Sequence, residues 1–519
     1  MTSEAQSGGK RANVVFIVSM AFCVLIGAWG LIDPDSMTGT MLGFTNYLLN
    51  GAAWYWLLIC TGFLILSVYL AFGPYGHIRL GRDDEEPEFS TPSWIAMLFA
   101  GGMGSGLLFW GVAEPVYHFV DPPGMEGRTP AAAREAMVIT NLHWGLHAWA
   151  IYGVCALVIA YFTFRRGERS MISTPILALF NGRSGAAIGN LADILGVLAV
   201  VFGLAGSLAM GTLSVRSGLG FAYGVPETPN TSIAILIALY ICYMLSATTG
   251  VDKGIKILSN LNMIIAIALM VLVLFAGPTA FIFETFLNTI GEYFTRVVAL
   301  SFRMFPYEGL TGWMTGWTLT YLIWWIAWGP FIGIFVARIS RGRTIREFCF
   351  GVIIVPTLFS MLWFAVFGGA GIYIELFGGG GLADVVFEDV SKALFVFFDY
   401  FPGTAVLNTL AVALVFIFLV TSADSGTFVL SMMTSGGNLN PPISHKMVWG
   451  TLIAAITVGT IFTQSVPVAK AMAIAGALPF SVILLVQIVG FMREIRRERK
   501  DWPRPIEARG STVGRARAT

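Results

Sequence analysis

Twelve stretches of at least 21 residues contain no Lys, Arg, Asp or Glu: 12–32, 51–78, 89–113, 137–164, 194–215, 228–251, 257–283, 309–337, 348–374, 400–423, 447–469 and 471–492. About 20 apolar residues in a helix cross the hydrocarbon core of a bilayer. With no water there to satisfy N–H and C=O groups, only helices and closed barrels can span it. No stretch alternates with period two over ten residues, which removes the barrel. The fold expected is therefore all-α and integral to the membrane, with twelve transmembrane helices. Composition excludes the competing reading of a 519-residue chain as three or four soluble domains: 56% of residues are hydrophobic and only 12% charged, against roughly 25% charged in soluble domains. The first stretch is too long, and too poorly followed by small residues, to be a removed signal peptide.

Basic residues set the orientation. With both termini inside, 24 of the 31 Lys and Arg fall inside; Arg128, Arg134, Arg296, Arg303, Lys392 and Lys470 fall outside, and Arg216 lies in or at the end of a span. Both termini are thus expected in the cytoplasm of a cell-membrane protein, with a short tail over 1–11, the twelve-helix domain over 12–492 and a basic tail over 493–519. Residues 282–298 carry apolar side chains at helical spacing and read as an amphipathic helix on the outer surface. The acidic run 83–88 reads as a solvated loop. The five cysteines lie in or beside apolar spans without metal-ligand spacing and read as small buried hydrophobes. Net charge is +1, so nucleic acid is not an expected partner. No Walker A sequence is present, and ATP is not the expected energy source.

Four spans break the rules of ordinary membrane helices. Span three holds Ala100-Gly-Gly-Met103-Gly-Ser105-Gly106, which suits either a close-packing face or a locally unwound helix that exposes backbone groups to a solute. Span eight carries Trp317, Tyr321, Trp324, Trp325 and Trp328 within about 100° of arc, in mid-span and away from the interfaces where tryptophan usually sits. Span four brings Trp144, Trp149 and Tyr152 within about 140° of one another. Two such clusters facing each other would form a cage that holds a quaternary ammonium group by its ring quadrupoles. His143 and His147 beside them read as hydrogen-bonding packing residues. Span ten ends in Phe418…Thr421-Ser422, whose hydroxyls either bond back to the preceding turn or ligate a hard cation such as Na+.

Met103-Gly-Ser-Gly-Leu-Leu-Phe-Trp-Gly-Val-Ala-Glu-Pro115, the block from His143 to Tyr152, Trp317…Trp328-Gly-Pro-Phe331 with its basic continuation to Arg346, and Thr421-Ser-Ala-Asp-Ser425 together resemble the betaine/choline/carnitine transporter family. The resemblance implies a LeuT-like fold: two leading helices, then inverted five-helix repeats over about 89–283 and 309–492, each opening on a glycine- or proline-broken span. It also implies an aromatic box on Trp144, Trp149, Tyr152 and Trp325 with Trp324 and Trp328 nearby, a sodium site on Ala100, Met103, Phe418, Thr421 and Ser422, and a homotrimer. Family members that dispense with sodium are expected to place a basic side chain at such a site, and span seven has none in Ser259-Asn-Leu-Asn-Met263. The threonines of a second sodium site are missing from 200–204.

The function expected is secondary symport of a quaternary ammonium zwitterion with Na+ as coupling ion and no cofactor. Glycine betaine leads, because residues 100–113 contain no acid to balance a net cation such as choline, while Ser105 could hydrogen-bond a carboxylate. Choline, carnitine, a sulfonium compound such as dimethylsulfoniopropionate, and sodium-independent exchange are the alternatives. An enzyme would need clustered catalytic acids and histidines on facing spans, and a channel would need a filter repeat; neither pattern is visible.

Overall fold

The computed structural model describes residues 2–501 except 103, 181, 250, 251 and 464, with the side chains of 2–10, 99–102, 105, 252–257, 500 and 501 outside the description. Its principal helices are α1 (Thr2–Ile32), α2 (Pro34–Gly51), α3 (Ala53–Phe72), α4 (Thr91–Gly102), α5 (Ser105–Val120), α6 (Pro130–Trp144), α7 (Leu146–Ala160), α8 (Gly182–Tyr223), α9 (Pro229–Thr249), α10 (Asp252–Ala276), α11 (Thr279–Ser301), α12 (Thr320–Ile339), α13 (Val355–Phe364), α14 (Ala370–Phe377), α15 (Thr404–Thr434), α16 (Ile443–Phe462), α17 (Val466–Ala475) and α18 (Ala477–Asp501). Among the described residues there is no strand, and the one β-bridge, between Arg79 and Thr344, is isolated.

Eleven helical segments are long and apolar enough to cross a membrane. The twelfth expected span, 89–113, is present as two shorter helices, α4 and α5, separated at Gly104, whose φ of −100° and ψ of −169° are extended. Of its two readings, the interrupted helix is the one realised. Proline did not do the same in span eight. That span runs without interruption over Thr311–Ile339 with Pro330 inside α12, and a π-helical turn at Thr315–Leu319 opens it instead. One missing N–H in a long, packed membrane helix bends it less than a run of glycines does.

Three boundaries move. The connection between the last two spans lies at Thr463–Ser465, so Lys470 sits inside α17 and not in a loop. Helix α2, unanticipated, starts on Asp33, whose carboxylate accepts the Ser36 amide ahead of Pro34 at the first helical position. Helix α11 fills the 282–298 prediction, but Ile282, Thr289, Tyr293 and Leu300 form its buried side, while Phe283, Leu287 and Phe294 are exposed. Its apolar stripe is thus shared between protein and lipid. Four of the cysteines are buried as expected and Cys242 is exposed.

Helix α8, 42 residues long, is the central post and packs on α12, α15, α16 and α17. The tightest pairing joins α7 to α12, where Gly329 and Gly333 leave α12 without a side chain against Cys155 of α7. A Cβ on Gly329 would lie 2.9 Å from the Cys155 Sγ, and one on Gly333 3.0 Å from the Cys155 Cβ. Small residues four apart let membrane helices approach in this way.

The ion pairs sort by side. Segments expected inside pair with one another: Arg11 with Asp193, Arg165 with Asp83 and Glu498, Arg341 with Glu85. Segments expected outside do the same: Arg128 with Glu375 and Asp384, Arg296 and Arg303 with Glu135, Lys392 with Glu227. The acidic run is a solvated loop, with Asp83, Asp84, Glu86 and Glu88 exposed, that is pinned in place: the Gly342 amide donates to the Leu80 carbonyl, the Leu80 amide to the Arg343 carbonyl and the Glu88 amide to the Arg341 carbonyl.

Candidate functional site

Span four is also broken, at a place its sequence did not advertise. Gly145, with φ −100° and ψ −132°, separates α6 from α7. A Cβ there would meet the Asn141 carbonyl oxygen at 2.4 Å, the Tyr293 hydroxyl at 3.1 Å and Thr357 Cγ2 at 3.3 Å. A break in a membrane helix frees backbone groups that must find new partners. The Leu146 amide donates to the Tyr293 hydroxyl at 3.2 Å, and the His143 carbonyl accepts the Trp325 indole N–H at 2.7 Å. The second bond ties α6 to α12 through one of the expected box residues.

The rings then meet at steep angles. Trp144 and Trp325 stand 5.0 Å apart at 79°, Tyr152 and Trp325 5.4 Å apart at 89°, and Trp149 and Tyr152 5.8 Å apart at 83°. Trp144, Tyr152, Trp324, Trp325 and Trp328 line one cavity of about 60 Å³, on a measure by which a single water needs roughly 10–15 Å³. Trp149 is buried behind Tyr152 and does not line it. Mutually perpendicular faces leave a cation in contact with π-density on several sides, where cation–π attraction reaches about 2 kcal/mol once water is excluded.

Tyr321 of the expected stripe also lines the cavity. The far wall, which was not foreseen, consists of Phe109, of Ser207, Met210 and Gly211 from α8, and of Val415 from α15. Ser207 Oγ and Trp328 Nε1 are buried polar atoms with no hydrogen-bond partner among the described residues. Gly104 and Gly106 bring the interruption of span three to the same cavity, and a Cβ on Gly106 would press on Trp144 at 3.2 Å. The glycine run therefore serves the site by its lack of side chains as well as by its break.

Behind Trp144 lies a buried polar cluster. Glu114, expected at the outer end of span three, sits inside α5 with no exposure. Its Oε2 accepts the Trp144 indole N–H at 2.7 Å, and its Oε1 lies 2.6 Å from His143 Nδ1 and 3.5 Å from His118 Nε2. His143 Nε2 lies 2.9 Å from Thr318 Oγ1. His143 thus fits the hydrogen-bonding role read from sequence, whereas neither ring nitrogen of buried His147 has a partner among the described residues. Glu114, His118 and His143 bring one possible ligand atom each within 4.8 Å of one another. Glu114 and His118, four apart on α5, are visible as a spaced pair, as is an acid placed directly after a glycine-rich membrane segment. The 29 residues between Glu114 and His143 hide the third member.

A second group of rings lies beside the first. The Lys470 ammonium stands 4.6 Å over Trp317, 5.0 Å over Trp110 and 5.5 Å over Tyr321, and donates to the Gly316 carbonyl at 3.2 Å. The stripe on α12 and its preceding turn thus already holds a cation, one supplied by the chain.

The expected sodium ligands fall on two elements. Phe418, Thr421 and Ser422 lie on α15, which packs on α5. The Thr421 hydroxyl donates to the carbonyls of Ile417 and Phe418, both at 3.1 Å, which is the back-bonded arrangement. Ala100 is in the last turn of α4, its side chain outside the description. Met103 lies outside the described residues, as does the Ser105 side chain.

The sequence profile of the BCCT family, the betaine/carnitine/choline transporters, matches residues 14–500. The chain is 40% identical to the glycine betaine transporter OpuD of Bacillus subtilis, over 95% of this chain and 96% of that protein. It is 39% identical to an ectoine/hydroxyectoine transporter of Virgibacillus pantothenticus, over 94% and 97% of the two chains. It is 38% identical to glycine betaine transporter 1 of Vibrio parahaemolyticus, over 94% of each. With a helix-breaking glycine run, two tryptophan-bearing spans and the cavity between them all in place, the chain belongs to the BCCT family of membrane transporters.

Proposed function

We propose that the protein is a sodium-coupled symporter that imports glycine betaine by alternating access, with Trp144, Tyr152, Trp324, Trp325 and Trp328 as its substrate cage. The observation that carries this reading is the set of perpendicular ring faces around one buried cavity. A trimethylammonium group offers no hydrogen bond and spreads its charge over methyl groups, so ring faces suit it better than any polar side chain. The unpartnered Ser207 hydroxyl and Trp328 indole N–H supply donors for the carboxylate pole, with Ser105 as a further candidate. Relatives named for glycine betaine support the choice of zwitterion.

Sodium would bind between the interruption of span three and α15, on the carbonyls of Ala100, Met103 and Phe418 and the hydroxyls of Thr421 and Ser422. Thr421 would give up its back-bond to ligate the ion. A two-ligand state with higher affinity for one orientation than the other then drives the exchange of access. Inverted repeats over spans three to seven and eight to twelve, cytoplasmic termini and a homotrimer complete the proposal.

Uptake of radiolabelled glycine betaine into proteoliposomes, with and without an inward sodium gradient, tests it. Accumulation is expected with the gradient and not without it, with excess unlabelled betaine competing best among betaine, carnitine, choline and ectoine. Choline or ectoine winning that competition would overturn the substrate, and equal accumulation without sodium would overturn the coupling.

A further inference from the structure

We propose that Glu114 is a positioning residue for the substrate cage, fixing the Trp144 indole by its N–H and enriching the ring face that meets the ammonium pole. The inference rests on the cavity being the substrate site.

Glu114 is fully buried beside the cage, and its described partners are the Trp144 indole, His143 and His118. Indole has a single polar atom, and Oε2 holds it at 2.7 Å. The ring so held turns its face toward the cavity, perpendicular to Trp325. The remaining oxygen is held by His143 at 2.6 Å. For Nδ1 of that histidine to donate to a carboxylate, Nε2 must accept, and the Thr318 hydroxyl stands ready at 2.9 Å to donate. His143 also stacks on Tyr321, another cavity wall, at 4.9 Å and 12°. One carboxylate thereby orients walls contributed by α6 and α12.

The second consequence is electronic. An anion that accepts the indole N–H pushes electron density into the ring and strengthens the negative face that attracts a cation. The carboxylate charge also lowers the electrostatic cost of burying an ammonium group among apolar rings, where the effective dielectric is low. Residues 100–113 hold no acid, but Glu114, the next residue, stands a single ring away from the cage.

The test separates charge preference from fit. Binding of glycine betaine and of its uncharged-headed isostere 3,3-dimethylbutanoate is measured on purified full-length protein by tryptophan fluorescence, alongside uptake KM and kcat. Glu114→Gln keeps an oxygen for the indole N–H but loses the charge. Its betaine KM and Kd are expected to rise about 10-fold, with kcat within about threefold and 3,3-dimethylbutanoate binding unchanged. Trp144→Phe keeps a ring but loses the N–H, and should cost a similar factor. The double variant should cost well under the product of the two single effects, because the charge acts on the ring through the indole N–H. Unchanged charge preference in Glu114→Gln, or single effects that multiply to about 100-fold, would overturn the proposal. If Glu114→Gln does not yield monodisperse protein, Trp144→Phe alone decides, since an unaltered betaine-to-isostere ratio there refutes the electronic role. Failure of the underlying site is distinguishable, because Trp325→Ala would then retain betaine binding.

Discussion

Replacing Gly145 by alanine should damage substrate binding more than it damages folding. The added Cβ would sit 2.4 Å from the Asn141 carbonyl oxygen, a backbone atom that cannot turn aside. The chain can relieve this by straightening α6 into α7. Regular helix pairing then returns the His143 carbonyl to its own helix, and the Trp325 indole N–H, now held at 2.7 Å, loses its acceptor. Leaving a buried polar group unsatisfied costs about 1–3 kcal/mol, or roughly 5- to 150-fold in an equilibrium constant. The same straightening turns Trp149 and Tyr152 relative to Trp144, so the cost falls on the cage. Part of the strain is offset by the regained helix bond, which limits the effect on global stability. Isothermal titration of betaine into purified protein, with thermal unfolding recorded in parallel, reads both quantities. A loss of affinity of at least fivefold with a modest fall in Tm is expected. Affinity within twofold of wild type would refute the argument that the break at Gly145 shapes the site.

Tyr293→Phe removes the acceptor of the Leu146 amide and should lower Tm and betaine affinity together, by the smaller end of the same range; an unchanged affinity would uncouple α11 from the site. Thr421→Ala with Ser422→Ala should raise the sodium concentration needed for half-maximal uptake while leaving sodium-free betaine binding intact; a normal sodium response would remove the cation site from α15. Gly333→Val overpacks the α7–α12 contact, where even an added Cβ would stand 3.0 Å from that of Cys155, and should destabilise by about 1–3 kcal/mol, read from thermal unfolding. Glu85, outside the membrane, is held below the usual carboxylate range by the Arg82 amide and by Arg341. Its folded pKa is depressed, so the docking of residues 80–88 is complete at neutral pH and lost as pH falls through the acidic range; faster amide exchange in that segment at pH 4 than at pH 7 would register it.

What was legible in the sequence followed from local signals. Charge-free length located the spans, and four glycines in seven residues pointed to the interruption at Gly104. Basic residues sorted the loops into the two sets that the ion pairs respect. Aromatic spacing found Trp144, Tyr152 and Trp325. The misses have a common physical origin in contacts between distant residues. A helical wheel assumes a continuous helix, so it could not report the break at Gly145, which depends on Tyr293 and Trp325 to satisfy what it frees. Glu114 read as a residue at the outer end of its span because nothing local says that His143 and the Trp144 indole join His118 around it. Lys470 looked like a loop residue because a charge normally ends a span, and only the Trp110, Trp317 and Tyr321 rings explain its place within α17.

The hydrogen bonds also indicate which helices must move together if access alternates. Glu114 ties α5 to α6, Trp325 ties α12 to α6, and the close glycine contacts tie α12 to α7, so four helices carry the cage as one body. The opposite wall, from α8 and α15, is joined to that body by packing, as where a Cβ on Gly203 would touch Trp328 and Ala327 at 3.2 and 3.4 Å. Packed surfaces can slide, whereas a bond network with a buried carboxylate cannot be broken at each cycle without a cost of several kcal/mol. Two disulfides distinguish these interfaces. Gly329→Cys would face native Cys155 with a Cβ separation of 4.0 Å, within the disulfide range of about 3.5–4.5 Å, and would cross-link α7 to α12. Gly203→Cys with Ala327→Cys, in a Cys155→Ser background, would cross-link α8 to α12 across 3.4 Å. Under oxidation the first pair should leave betaine uptake largely intact, and the second should stop it until reductant is added. Arrest by the first cross-link with free transport through the second would mean that the cage is taken apart during the cycle and is not carried through it whole.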